Sequence, residues 1–233
     1  MPLFCFSLRD DMKRVLLLIA SPRKGSNSDI LANAVLEEVC KSGAAAEKIY
    51  LADLKVNPCK GCLRCNLLGR CVQNDGFNTF LKAFAKAHAI VISSPVYFHS
   101  VPGPLKTLID RFRSVMHVTV LKNRLLCEPT LSGKKDFLII LTQGEPTGDD
   151  YKSAFQLLRT FSNRVARARR VLLLAAKGLP MKGQVKMDFD SLKALFAKLS
   201  LPTDDKFVLE KMRRSEKLIQ KARRLAASLV RSR

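Results

Sequence analysis

Lys13-Arg14-Val15-Leu16-Leu17-Leu18-Ile19-Ala20-Ser21-Pro22-Arg23-Lys24-Gly25-Ser26-Asn27-Ser28 runs from unbroken apolar residues into a polar turn that contains glycine. The apolar part is too short for a helix and closes on Ser-Pro, so it reads as a strand buried on both faces. From Ser28 to Lys41 the apolar residues Ile30, Leu31, Ala34, Val35, Leu36 and Val39 fall at helical spacing, and Gly43 ends the pattern. A buried strand that passes through a short polar loop into a helix is the repeating unit of an α/β sheet.

The unit recurs downstream. Strands are expected at Glu47 to Leu51, Ala89 to Ser94, Asp136 to Thr142 and Arg170 to Ala176. Helices are expected at Phe77 to Lys86, at Pro104 to Arg113 with proline in the first turn, and at Tyr151 to Val165. Strict alternation predicts a parallel sheet covered on both faces, because right-handed crossovers place helices on each side. Five strands suit a doubly wound three-layer sandwich. After Gly183 the strands stop, and two helices are expected, Asp188 to Leu199 and Asp204 to Arg233. The organisation is thus a loose extension over 1–11, an α/β domain over 12–183 with a Cys-rich insert at 57–75, and a helical appendage over 184–233.

Charge is uneven along the chain. The 233 residues carry a net +21, and residues 151–233 hold 21 Lys+Arg against 6 Asp+Glu. Such an excess raises nucleic acid as a partner. No aromatic residue follows Phe207, however, so base stacking is unsupported. A solvated or packed helix pair is the expectation, and a basic face could also dock an acidic electron carrier. No apolar run approaches the roughly 18 residues of a membrane span, and the N-terminal residues lack a secretory pattern. The expected location is the cytoplasm, where cysteines stay reduced.

The loop Ser21 to Ser28 sits where a helix N-terminus offers unpaired N–H groups and partial positive charge, a natural seat for phosphate. Ser21, Ser26 and Ser28 add hydroxyls, Asn27 an amide and Arg23 a forked cation. The same residues also make an ordinary Ser/Asn helix cap. The loop is neither a Walker loop nor a dinucleotide fingerprint. Two further loops follow strands at the carboxyl edge, where open α/β sheets bind ligands. They are Ser94-Pro95-Val96-Tyr97-Phe98-His99-Ser100-Val101-Pro102 and Thr142-Gln143-Gly144-Glu145-Pro146.

Ser-Pro-Arg-x-Gly-Ser-Asn-Ser, the cysteine segment, Ser-Pro-Val-Tyr-Phe and Leu105-Lys106-Thr107-Leu108-Ile109-Asp110-Arg111 together resemble the NADPH-dependent FMN reductase family, in particular its iron–sulfur flavoprotein branch. The resemblance covers roughly Lys13 to Ala176. It implies a flavodoxin-like fold, strand order 2-1-3-4-5, and bound FMN. Ser21, Arg23, Ser26, Asn27 and Ser28 would hold the phosphate. Pro95, Val96, Tyr97 and Phe98 would line the isoalloxazine, and Thr142, Gln143 and Gly144 would close its other edge. The flavin carries the chemistry, so no side chain is expected to act as a catalytic acid or base. Electrons would come from NAD(P)H or ferredoxin and pass to a quinone, a flavin or another small oxidant. A homodimer or homotetramer is implied as well.

Cys59, Cys62, Cys65 and Cys71 form a Cys-x2-Cys-x2-Cys-x5-Cys run with Gly61 and Gly69 between them. Thiolates at two-residue gaps can wrap one metal centre. The family branch implies a [4Fe–4S] cluster here. Free thiols, zinc and disulfides compete with that reading. Cys5, Cys40 and Cys127 stand apart and read as structural. His88, His99 and His117 show no pair spacing, and Asp110 with Arg111 reads as a helix-end pair.

Overall fold

Along the first parallel strand, Val15, Leu17 and Ile19 pack into one hydrophobic cluster while Leu16 and Leu18 pack into another. A strand with both faces apolar must lie inside the sheet with helices above and below. The structure, a computed structural model, describes residues 3–5 and 12–231. In chain order its elements are β1 (Leu3–Cys5), β2 (Arg14–Ile19), α1 (Asn27–Lys41), β3 (Ala45–Tyr50), α2 (Cys65–Leu68), α3 (Gly76–Lys86), β4 (Ala89–Pro95), α4 (Gly103–Arg111), β5 (Met116–Leu121), β6 (Arg124–Pro129), β7 (Asp136–Thr142), α5 (Tyr151–Ala166), β8 (Arg170–Ala176), α6 (Phe189–Lys198) and α7 (Asp205–Arg231).

The main sheet runs β1-β3-β2-β4-β7-β8. From β3 to β8 every pairing is parallel, which gives the expected 2-1-3-4-5 order of a doubly wound flavodoxin-like sheet. The strands bring two corrections. The N-terminal extension is not wholly loose: Leu3–Cys5 pairs antiparallel with β3, Phe4 opposite Glu47. It covers backbone groups that β3 would otherwise leave unpaired at the sheet edge. Residues 6–11 lie outside the described residues. The second correction is the hairpin of β5 and β6, paired from Met116↔Pro129 to Leu121↔Arg124, in a stretch where no element was expected. Its strands lack the buried apolar run used to find the other strands; Val120 and Leu125 are exposed.

One face of the sheet packs Ile90, Ile92, Phe137 and Ile139 against α3, α4 and α5. Phe112 sits at the hub, its ring edge-on to Phe84 at 4.8 Å and to Phe161 at 4.9 Å. The other face packs Leu138, Ile140 and Leu174 against α1 and α7. The long basic helix is therefore integral to the sandwich: Ala222, Ala226 and Leu229 are fully buried against the sheet and α1. Its alanines permit that close approach, and its Lys and Arg residues take the solvent side. Only α6 and the start of α7 stand apart, around a small cluster of Leu192, Leu195, Phe196 and Val208.

Candidate functional site

The parallel register ends β2, β4 and β7 together, with Ile19 beside Ser93 and Pro95 beside Thr142. The loops that follow therefore leave from one edge of the sheet. Three contacts, two of them buried, tie this edge together. Ser28 Oγ and Thr142 Oγ1 are 2.8 Å apart, Ser93 Oγ donates to the Ser28 carbonyl at 2.8 Å, and the Val96 N–H donates to the Thr142 carbonyl at 2.8 Å.

The first loop is held from within. Ser26 caps α1 by accepting the Asp29 N–H. Gly25 adopts φ +73°, a left-handed conformation suited to glycine, and its N–H donates to Asp29 Oδ2 at 2.7 Å. Asp29 Oδ1 in turn accepts from Lys48 Nζ, and both side chains are buried. This pair fixes the loop to β3. Arg23 and Lys24 remain exposed at the loop tip. Ser21 is buried, and its Oγ accepts the Arg23 N–H.

The predicted residues divide by environment. Asn27 donates to the Leu179 and Met181 carbonyls at 3.1 and 2.7 Å and accepts the Val185 N–H at 3.0 Å. It thus anchors the segment after β8 to the start of α1. Gln143 spans its own loop, donating to the Glu145 and Gly148 carbonyls and accepting the Tyr151 N–H. Gly144 lies against Pro180. Pro95 is buried and Val96 half-buried, whereas Tyr97 is 41% and Phe98 102% exposed.

Tyr97 and Ser100 exchange both backbone hydrogen bonds around Phe98 and His99. The two central residues have φ of +47° and +59°. A tight turn with both central φ values positive usually takes Asn-Gly. Here it holds a phenylalanine ring wholly in solvent, the combination of backbone strain and exposed apolar surface that marks functional loops. His99 Nδ1 lies 3.5 Å from Asp150.

The cysteine loop is a second centre. Cys59, Cys62, Cys65 and Cys71 line one cavity of about 30 Å³ together with Arg111 and Arg113. Cys59 and Cys62 are exposed, Cys65 and Cys71 half-buried, and these four, with Cys40 and Cys127, are free thiols. Among the described residues no three His, Cys, Asp or Glu side chains converge to hold a metal ion.

Arg111 organises this loop, a role the sequence reading missed. It is fully buried, donates to Asp75 Oδ2 at 2.6 Å and to the Asn57 carbonyl at 2.8 Å, and reaches Cys71 Sγ at 3.3 Å. Burial opposes its charge, yet the bonds to Asp75 and Cys71 outweigh burial and hold its pKa above the usual value. Burial likewise pushes Asp75 up, but Arg111 and the N–H groups of Asn57 and Phe77 overcome it and leave the carboxyl below its ordinary range. Arg113 adds a bond to Asn66 at 2.8 Å. These contacts link residues some 36 to 54 positions apart, so no local pattern announces them.

The sequence matches the family model described as NADPH-dependent FMN reductase over residues 13–137. An iron–sulfur flavoprotein of Archaeoglobus fulgidus is 33% identical over 127 residues, 54% of this chain and 53% of that protein. A second iron–sulfur flavoprotein of the same organism is 40% identical over 124 residues, 53% of this chain and 61% of that one. The chain thus spans somewhat over half the length of these relatives. In structure it is similar to an azoreductase from Bacillus anthracis, with TM-score 0.64 and 14% identity over 93% of this chain and 100% of that one. At that identity the likeness establishes the fold.

Proposed function

The chain belongs to the NADPH-dependent FMN reductase family, and from that premise we propose that it is an FMN-dependent oxidoreductase. It would draw electrons from NAD(P)H or ferredoxin and deliver them to a small acceptor such as a quinone, a flavin or another oxidant. The observation that carries this reading is that Ser28, Ser93 and Thr142 join the first turn of α1 to the ends of β4 and β7, so the loops at this edge of the sheet leave from one place.

The first turn of α1 suits the FMN phosphate. Its N–H groups have no carbonyl one turn earlier, and Ser26, Ser28, Ser21 and the exposed Arg23 stand around it. Asn27 would position this turn rather than touch the ligand, since its amide is already committed to the segment after β8. Pro95, Val96, Tyr97 and Phe98 would flank the ring, with Thr142, Gln143 and Gly144 along its other edge. FMN, when bound, supplies hydride and single-electron transfer. The chain would contribute orientation, exclusion of water and a positive environment for the phosphate.

Cys59, Cys62, Cys65 and Cys71 suit a [4Fe–4S] cluster that relays electrons singly. Four thiols surround one small cavity, and Arg111 and Arg113 beside it would offset thiolate charge. Relatives named iron–sulfur flavoproteins support the assignment. Cluster binding would require the loop to draw its thiols together. A homo-oligomer belongs to the same reading, because Leu67, Phe98 and Val120 are 91%, 102% and 77% exposed, apolar surface that a second copy would cover.

Anaerobic purification with flavin and iron quantified together tests both parts. About one FMN and about four irons per chain are expected. Protein that is colourless and does not take up added FMN would refute the flavin reading. Flavin without iron would retain the oxidoreductase and reject the cluster. Arg23→Glu is expected to weaken FMN binding without unfolding, because Arg23 is exposed.

A further inference from the structure

Where α6 and the start of α7 meet the loops after β7 and β8, they enclose a cavity of about 290 Å³. Its walls are apolar: Leu179, Phe196, Phe207 and Leu218. Leu199 and Leu201 also line it, 38% and 42% exposed. Only Gly144 is shared with the proposed cofactor site. The volume is close to the roughly 300 Å³ at which small-molecule sites begin. It would hold about ten heavy atoms at the roughly 30 Å³ that a liquid water occupies.

Three cations line the same cavity: Lys177, Lys211 and Arg214. Lys177 is engaged by Asp149 at 2.7 Å, and Lys211 lies 3.8 Å from Glu210 with its ammonium over the Phe207 ring. Arg214 is exposed and has no hydrogen bond or acidic partner among the described residues, so its guanidinium is open to a ligand from solvent. Its Nη1 lies 4.0 Å from where a Cβ on Gly178 would stand. Gly178 has φ +72°, a backbone conformation that suits glycine and sets the path of the loop beside the guanidinium.

We propose that this cavity is a binding site for an amphipathic carboxylate, a linear or aromatic acid of about ten heavy atoms. The apolar body would lie between Phe196, Phe207 and Leu179, and the carboxylate would pair with Arg214. Two features point to this class of ligand. Apolar walls favour a body that leaves water, and the unpartnered guanidinium is a forked donor whose geometry matches a carboxylate. The segment that carries Leu179 is held at its carbonyls by Asn27, so the wall is fixed before any ligand arrives. This inference rests on the cavity alone and stands or falls separately from the flavin reading.

Calorimetric titration of the FMN-supplemented protein with octanoate tests it. A saturable site of one octanoate per chain is expected. Arg214→Gln should weaken it about fivefold, the equivalent of about 1 kcal/mol for an exposed ion pair. Leu201→Asp, which puts a like charge at a half-exposed wall position, should weaken it at least as much. Octanol, with the same chain and no charge, should bind more weakly than octanoate. No saturable octanoate binding, an affinity in either variant unchanged from that of the unsubstituted protein, or octanol binding as tightly as octanoate would each overturn the proposal. Circular dichroism of the variants separates loss of the site from loss of the fold.

Discussion

Replacing Arg111 with methionine removes the cation beneath the cysteine loop while keeping much of its volume. The Arg111 side chain is 0% exposed and that of Asp75 7% exposed, so the substitution leaves a buried carboxylate without its partner. Breaking a buried pair by removing one member costs about 3–5 kcal/mol. The Asn57 carbonyl also loses its donor, and the Cys71 sulfur its neighbour. At about 2–4 °C per kcal/mol for a chain of this size, Tm should fall by roughly 6–20 °C. Denaturant unfolding gives the free energy directly. The double variant Arg111→Met with Asp75→Asn should be less destabilised than the two single losses summed, by about 1–3 kcal/mol, because the neutral amide no longer needs a cation. A loss under about 1 kcal/mol for Arg111→Met, or strict additivity in the double variant, would refute the view that this pair anchors the loop.

Asn27→Ala should cost about 1–3 kcal/mol by leaving backbone groups of residues 179–185 unpaired, and limited proteolysis should show faster cleavage there. Phe112→Ala should cost about 3–5 kcal/mol in urea unfolding, since its buried ring contacts those of Phe77, Phe80, Phe84 and Phe161. Acid should weaken the fold through Asp75. Its native pKa lies below the unfolded value of about 3.9, so its contribution is complete above that pH and disappears as pH falls through the native pKa. Asp75→Asn should therefore flatten the stability profile below about pH 4, measured by denaturant midpoint against pH.

The sequence by itself determined the sheet. Val15 to Ala20 is apolar at every position, and Ala89 to Ile92 and Phe137 to Leu141 repeat that pattern, which only burial on both faces explains. The serine and glycine residues that begin α1 also announced their position, because capping is local chemistry within a few residues. Tertiary structure decided what those residues touch. Nothing local to Asn27 says that its amide holds a segment more than 150 positions away. Nothing in Asp110-Arg111 separates an exposed helix end from the buried guanidinium that ties the cysteine loop to α3 and α4. The same holds for α7. Its stripe of small and apolar residues predicts that one face is covered, but whether by the sheet, a second copy or nothing depends on where the chain returns in space. The loop edge beside α1 was legible because it follows strand order. The apolar cavity between α6, α7 and the loops after β7 and β8 was not, because its walls come from segments that meet only when the last helix folds back.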